Sequence, residues 1–432
     1  MLSILSPLHV QAAKKSLWPD GTVMSAWFQD TTKVDPTQLG KRYVITDYGV
    51  STDSTRVQTK AIQAVIDRCA SEGGGLVVVP KGTFLSGSLF FKQGTHLMLE
   101  EGGKLKGSDR IENFAVLTTR IEGETCKYFA ALVNADGLDG FTICGTGTID
   151  GNGYHYWKEF WIRREWNPKC TNKDAQRPRL VYVSNSKNVT MQDVHVVNSP
   201  FWTNHFYRCD HVRLLNLYIY APTSGVKAPS SDAIDIDACH DMLVHGCYMS
   251  VNDDAVALKG GKGTWADTDP NNGPNYNILI ENCKYGVVHS CLTLGSESVR
   301  DSNIVLRNIE ARNANRVLWL KMRPDTPQDY QYVRVDHITG NSKSFLVVRP
   351  WTQFYNLGDR KDMPLSKCSN IEISDIKMDC ENFFDVRPSD KYALSRFVFR
   401  DIDIIDKKQA FNPKAISECT YKNVRINGKK IP

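Results

Sequence analysis

From about residue 180 onward one short pattern returns: a polar residue, an apolar–any–apolar strand, and an Asn or Asp at the turn. Its copies are Asn188-Val-Thr-Met-Gln-Asp193, His211-Val-Arg-Leu-Leu-Asn216, Asn277-Ile-Leu-Ile-Glu-Asn282, Asn303-Ile-Val-Leu-Arg-Asn308 and Asn370-Ile-Glu-Ile-Ser-Asp375. Val189 and Val212 are 23 residues apart, and Ile278 and Ile304 are 26 apart. Self-similarity at such a period marks a solenoid. The units alternate with period two and carry no helical periodicity, so the solenoid predicted is a parallel β-helix. A β-propeller is the rival, but its blades need about 40 residues in four antiparallel strands. Asn-Gly hairpin turns are scarce between these strands.

Open ends of such a coil expose unpaired strand edges and need a cover. Val57, Ala61, Val65 and Cys69 recur every four residues and predict a capping helix. Thr52–Thr55 offers oxygens to cap its start, and Gly73-Gly74-Gly75 stops it. The expected fold class is therefore all-β, a coil with a short N-terminal helix. Residues 1–13 resemble the apolar core and small-residue end of a secretory signal without its basic start, which favours a periplasmic or secreted protein. The expected division is a tail over 1–20 and a single catalytic domain over 21–432. Two stretches rich in Trp, Tyr, Pro, Asn and charge, Tyr154–Arg179 and Gly260–Asn275, read as long loops that wall a binding site.

Composition narrows the partners. With 41% hydrophobic residues among 432 the chain is no disordered protein, and no apolar run reaches membrane-spanning length. The net charge of +5 comes from scattered basic residues rather than a patch, so nucleic acid is not expected. The twelve cysteines form no CxxC pair, and several sit in apolar strands, where a thiol acts as a small buried hydrophobe. They read as reduced and structural.

Two consecutive coils carry an unusual acidic load. Asp232, Asp235 and Asp237 lie on one, and Asp253 and Asp254 on the next, with Asp232 and Asp253 21 residues apart. Equivalent positions of neighbouring coils stack at roughly 4.8 Å, which turns sequence separation into a carboxylate cluster. Like charges so close disfavour joint ionisation, so one carboxyl should keep its proton beside an ionised neighbour. An acid beside a base is what glycoside hydrolysis requires. Asx-turn duty and a calcium site are the competing readings. Alternation further aligns Asp237, Lys259, Gly295 and Lys321 in one column, and Asp235, Ala257, Thr293 and Trp319 in a second, on the same sheet face.

Taken in order, Ser230-Ser231-Asp232, Asp253-Asp254, Val288-His289-Ser290 and Trp319-Leu320-Lys321 resemble the four motifs of glycoside hydrolase family 28, the polygalacturonases and rhamnogalacturonases. Tyr48-Gly49-Val50, Gly145–Gly151 and Asn198–His205 are similar as well, and the likeness runs from about residue 45 to 325. The resemblance implies a right-handed parallel β-helix and an inverting hydrolase of pectin that needs no cofactor or metal. It implies Asp253 as general acid, Asp232 and Asp254 as activators of water, and His289 as support for the acid or the sugar. Lys321 would bind a galacturonate carboxylate, with Lys259, Trp319, His205 and Trp351 as further substrate contacts, and Trp202, Trp265 and Tyr355 as stacking surfaces.

Trp319 stands where the family has an arginine. A Trp offers a ring face and one N–H in place of a carboxylate-binding fork. This leans the expectation toward a neutral leaving-side sugar, as in the galacturonate–rhamnose backbone of rhamnogalacturonan. Alternatively Arg316 or Arg323 substitutes, and the chain cleaves homogalacturonan, endo or exo. A pectate-lyase-like or a non-catalytic carbohydrate-binding β-helix are the remaining alternatives. The expected partner throughout is an acidic plant cell-wall polysaccharide or oligosaccharide. The oligomeric state is left open.

Overall fold

Each polar–strand–polar unit is a short strand held between two left-handed residues. Asn188, His211, Asn277, Asn303 and Asn370 open their units with φ between 53° and 57°, and Asp193, Asn216, Asn282, Asn308 and Asp375 close them with φ between 54° and 62°. Asn and Asp tolerate this conformation better than other residues with a Cβ, which is why the repeat is spelled with them. Their side chains also stack from coil to coil: Asn277 Nδ2 donates to Asp241 Oδ1 at 3.0 Å and Asn303 Nδ2 to Asn277 Oδ1 at 3.3 Å.

The computed structural model describes residues 16–358, 360–408 and 411–431, so the signal-like stretch 1–13 lies outside the described residues. Strands of successive coils pair in parallel with the register read from the repeat, Val189 opposite Val212 and Ile278 opposite Ile304. Inward residues form continuous ladders such as Val212–Met242–Ile278–Ile304–Val333–Ile371, all at most 1% exposed. Each such side chain contributes roughly 1.5–3 kcal/mol by leaving water. One hydrophobic core runs inside the coil from Tyr43 to Ile426. The fold is a right-handed parallel β-helix. All twelve cysteines are unpaired, ten of them buried.

Several local expectations need correction. The capping helix is Thr59–Ser71, and its buried face is Ile62, Val65, Ile66 and Cys69. Val57 precedes it and is 37% exposed, and no side chain from Thr52–Thr55 caps it. Gly74 N–H does close its end on Cys69 C=O at 2.8 Å. Part of the loop expected at Tyr154–Arg179 is a second helix, Tyr154–Trp166. Within the stretch assigned to a tail, Trp18 is buried, and it packs with Met24 and Phe28 against Leu243, Leu279 and Val305. Finally, Val116–Ile121 and Glu124–Phe129 form an antiparallel hairpin whose turn residues, Glu122 and Gly123, have φ of 49° and 74°. Positive φ at both turn positions matches the right-handed twist of a tight hairpin.

Candidate active site

One of the three faces of the coil stacks the strands Val181–Ser184, Asn204–Tyr207, Ile234–Asp237, Val256–Lys259 and Leu292–Leu294. The second column appears in the predicted register, with Asp235 opposite Ala257, Ala257 opposite Thr293, and Thr293 opposite Trp319. Asp237 pairs with Lys259 as expected. A cleft of about 540 Å³ runs along this face. Its lining includes Trp202, Asp232, Asp253, Asp254, Lys259, His289, Trp319, Lys321 and Trp351, so nine of the twelve catalytic, substrate-contact and stacking candidates meet here.

The three aspartates each place a carboxylate oxygen within 4.8 Å of the other two. None has the positive φ of the turn residues that bound the repeat. Asp254 N–H donates to Asp232 Oδ1 at 3.0 Å, which ties the two coils together at the height of the carboxylate cluster. His289 Nδ1 lies 3.2 Å from Asp253 Oδ1, and Lys321 Nζ donates to Asp254 Oδ2 at 2.8 Å. Lys259 Nζ sits among Glu297 at 3.3 Å, Asp235 at 3.8 Å and Asp232 at 4.0 Å. Three carboxylates could offer oxygens to calcium, but Lys321 and Lys259 already stand against two of them.

These contacts divide the protonation states. Burial, then the charges of Asp253 and Asp235, pushes Asp232 well above the usual carboxylate range. Burial acts on Asp253 too, but His289 and Lys321 outweigh it and hold that carboxyl well below the usual range. His289 is raised in turn, because Asp253 outweighs its desolvation. Carboxylate oxygens of Asp232 and Asp253 lie within 4.8 Å of each other. The proton expected from like-charge crowding therefore belongs to the buried Asp232 and Asp235, both held well above the usual range by burial first, beside an ionised Asp253. Burial would lower Lys259, yet Glu297, Asp232 and Asp235 raise it well above the usual lysine range.

His205 is the residue that sequence misplaced. It is fully buried behind the cleft, with Nδ1 2.8 Å from an Arg179 nitrogen and Nε2 3.4 Å from Asp237. Burial pulls its imidazole down to about 4, with Asp237 opposing. It is a neutral strut in a network that also contains the Arg120–Asp237 ion pair at 3.1 Å. Trp265 is 53% exposed beneath Arg360, and neither it nor Tyr355 lines the cleft. Trp202 does, and Lys259 stands 5.0 Å from its ring.

Sequence reasoning missed Glu297, which lies two residues after Gly295 in the first column and anchors Lys259. It also set Arg316 aside as an alternative. Arg316 lies in the cleft with its guanidinium 3.7 Å from the Trp319 ring centroid, while Arg323 is tied by two hydrogen bonds to Asp325. Trp319 itself is buried by Arg316, Lys321 and Trp351, its ring centroid 5.2 Å from that of Trp351. Lys262, Arg164 and Arg349 complete a cleft with seven cations and five carboxylates.

Under the floor, Asp301 accepts hydrogen bonds from Asn275 Nδ2 and the Ser298 hydroxyl, both at 2.8 Å, and both donors also hold the Lys259 carbonyl. Burial raises its carboxyl to about 7 despite those bonds. A carboxyl raised in the folded state stabilises fully below its unfolded pKa, and the contribution is lost as pH rises through the folded value. Roughly 4 kcal/mol should therefore disappear between about pH 4 and pH 7. Asp301→Asn should flatten that part of the slope in urea unfolding at stepped pH. An unchanged slope would show that Asp301 does not titrate there.

The chain matches glycosyl hydrolases family 28 over residues 69–317. A probable polygalacturonase of Vitis vinifera is 28% identical over 284 residues, 62% of this chain and 55% of that protein, so the chain spans about half of that relative's length. An endo-polygalacturonase of Pectobacterium parmentieri is 26% identical over 305 residues, 69% of this chain and 71% of that one. Among solved structures, a hyperthermoactive exopolygalacturonase from Thermotoga maritima superposes with a TM-score of 0.68 at 21% identity, covering 90% of this chain and 93% of that one. No helix among the described residues is long and apolar enough to cross a membrane.

Proposed function

Because the chain belongs to glycosyl hydrolases family 28, we propose that it hydrolyses the α-galacturonosidic bonds of pectin, with galacturonate on both sides of the bond cut. The observation that carries the reading is the Asp232–Asp253–Asp254 cluster set among lysines and arginines. Carboxylates supply acid and base, and the surrounding cations suit a polyanion that neutral sugars would not need. The relatives named as polygalacturonases support the same substrate class. Such a substrate lies outside the cell, which fits export.

In the proposed cycle the proton of Asp232 passes through Asp253 to the glycosidic oxygen as the bond from C1 to that oxygen breaks. Asp232 and Asp254 are then both carboxylates and take the proton of a water whose oxygen bonds to C1 from the opposite face. The configuration at C1 inverts. Protonated His289 holds Asp253 on the acid side of the cleft, and Lys321 holds Asp254. Lys259 offsets the charge that Asp232 acquires when it gives up its proton.

The case for a neutral rhamnose on the leaving side rested on Trp319 lacking a carboxylate-binding fork. Arg316 supplies that fork from three residues upstream, laid on the Trp319 ring and facing the cleft. Homogalacturonan should therefore be cut faster than rhamnogalacturonan when the two are digested in parallel with chelator present. Arg316→Ala should raise KM for galacturonan about 10–100-fold, the worth of one charged hydrogen-bonding group. Faster cutting of rhamnogalacturonan, or an unchanged KM, would sink the assignment. Ultraviolet-absorbing unsaturated products lost in chelator would instead mark elimination.

A further inference from the structure

The N-terminal end of the cleft is barred. The tip of the Val116–Phe129 hairpin, which precedes the catalytic coils in the chain, bridges the two walls of the groove. On one side Glu122 accepts a hydrogen bond from Asn172 Nδ2 at 2.6 Å, and Lys173 pairs with Glu124. On the other, Lys262 Nζ lies 3.6 Å from Glu124 Oε1. Gly123 is so close to that wall that a Cβ there would stand 2.8 Å from Glu297 and 3.0 Å from Lys262.

The bar is rooted as well as pinned. Behind the tip, Arg120 reaches down to Asp237 at 3.1 Å and across to Asn272 Oδ1 at 2.6 Å, and its backbone C=O accepts from Arg179 at 2.8 Å. Ile121 and Tyr128 pack against Phe201 and Trp202 in a cluster of their own. Arg120, Ile121 and Tyr128, each at most 1% exposed, thus fix the base of the hairpin in the fold.

Measured along the coil, the site is asymmetric. On the barred side of Asp232 the floor continues for one coil only, that of Trp202; on the other side it continues through the coils of His289, Trp319 and Trp351. Coils rise by roughly 4.8 Å, and a linked sugar advances by a similar length, so the barred side holds one sugar and the open side several. Asp253 and its partner His289 lie on the open side of Asp232, which sets the leaving sugar toward Trp319. The sugar in the closed end is then the one whose C1 is attacked, and nothing can extend beyond it.

From this geometry, and resting on the hydrolase reading above, we infer that the enzyme is end-acting. It takes the non-reducing terminal galacturonate into the closed end and releases it as a monosaccharide, with Glu122 and Gly123 as the stop that excludes internal segments.

The test is a time course on galacturonate oligosaccharides of defined length tagged at the reducing end, resolved by anion-exchange chromatography. The expected result is free monosaccharide from the first time point and a tagged ladder that shortens one sugar at a time. Early fragments of mixed length would overturn the inference while leaving the hydrolase reading intact, and release of the tagged sugar first would overturn its direction. Glu122→Ala combined with Glu124→Ala unpins the bar and should add di- and trisaccharides to the early products. A folded double variant that still releases only monosaccharide would overturn the role given to the hairpin. If that variant does not fold, the wild-type ladder still decides. Absence of any new reducing ends would overturn the hydrolase reading and this inference together.

Discussion

Asp253→Asn should lower kcat on galacturonan by about 10²–10⁴-fold, the usual worth of a positioned general acid, and leave the fold and the affinity for galacturonate oligosaccharides in place. The amide keeps the carboxyl's shape and can hold a hydrogen bond to His289, but it cannot deliver a proton to the leaving oxygen. Removing a negative charge beside a polyanion should if anything tighten binding. Reducing-sugar release and titration calorimetry on the same preparation separate the two effects. Turnover within tenfold of wild type would remove Asp253 from the acid role. A protein that only bound sugars would show no turnover to lose.

The second large effect is on stability. Lys259→Met should cost about 3–5 kcal/mol, the range for breaking a buried ion pair by removing one partner. That is roughly a fifth or more of what holds a typical domain together. Its ammonium is the common counter-charge of Glu297, Asp235 and Asp232, and its side chain is 5% exposed. Asp232 and Asp235 are already raised above the usual carboxylate range, by burial first and by neighbouring carboxylates. A raised carboxyl contributes stability that is complete below its unfolded pKa and fades as pH rises through the folded one. The deficit of the variant should therefore be smaller at pH 5 and larger at pH 8 in guanidinium unfolding. A deficit under about 1 kcal/mol, or one larger at pH 5, would mean that the carboxyls are not crowded as their geometry implies.

Much of the coil was legible because its constraints are local. A strand bounded by Asn and Asp at left-handed φ must be spelled with those residues, so the repeat is visible in a single sequence. Period-two alternation then carries register from coil to coil, which is why Asp235, Ala257, Thr293 and Trp319 could be aligned before any coordinates. The carboxylate cluster followed from the 21-residue separation of Asp232 and Asp253, close to one turn of the coil. What escaped was long-range or unpatterned. The helix Tyr154–Trp166 buries Tyr156, Trp157 and Phe160 but also exposes Trp161, Ile162 and Trp166, so it lacks the one-sided apolar face that marks a helix. His205 looked like a site residue because it sits in a family-like stretch; only the arrival of Arg179 and Asp237 makes it a buried strut. The hairpin turn at Glu122-Gly123 went unread, and nothing local tells that its tip lands on Lys262 and Glu297, well over a hundred residues away.

The bar across the groove also dictates an order of departures. A sugar cut off in the closed end has the rest of the polymer standing between it and solvent. On the end-acting reading the polymer must back out before the monosaccharide can follow, so the chain would be released after every cut. A cleft with a single door thus cannot slide along its substrate, and each sugar removed costs a fresh encounter between enzyme and chain end.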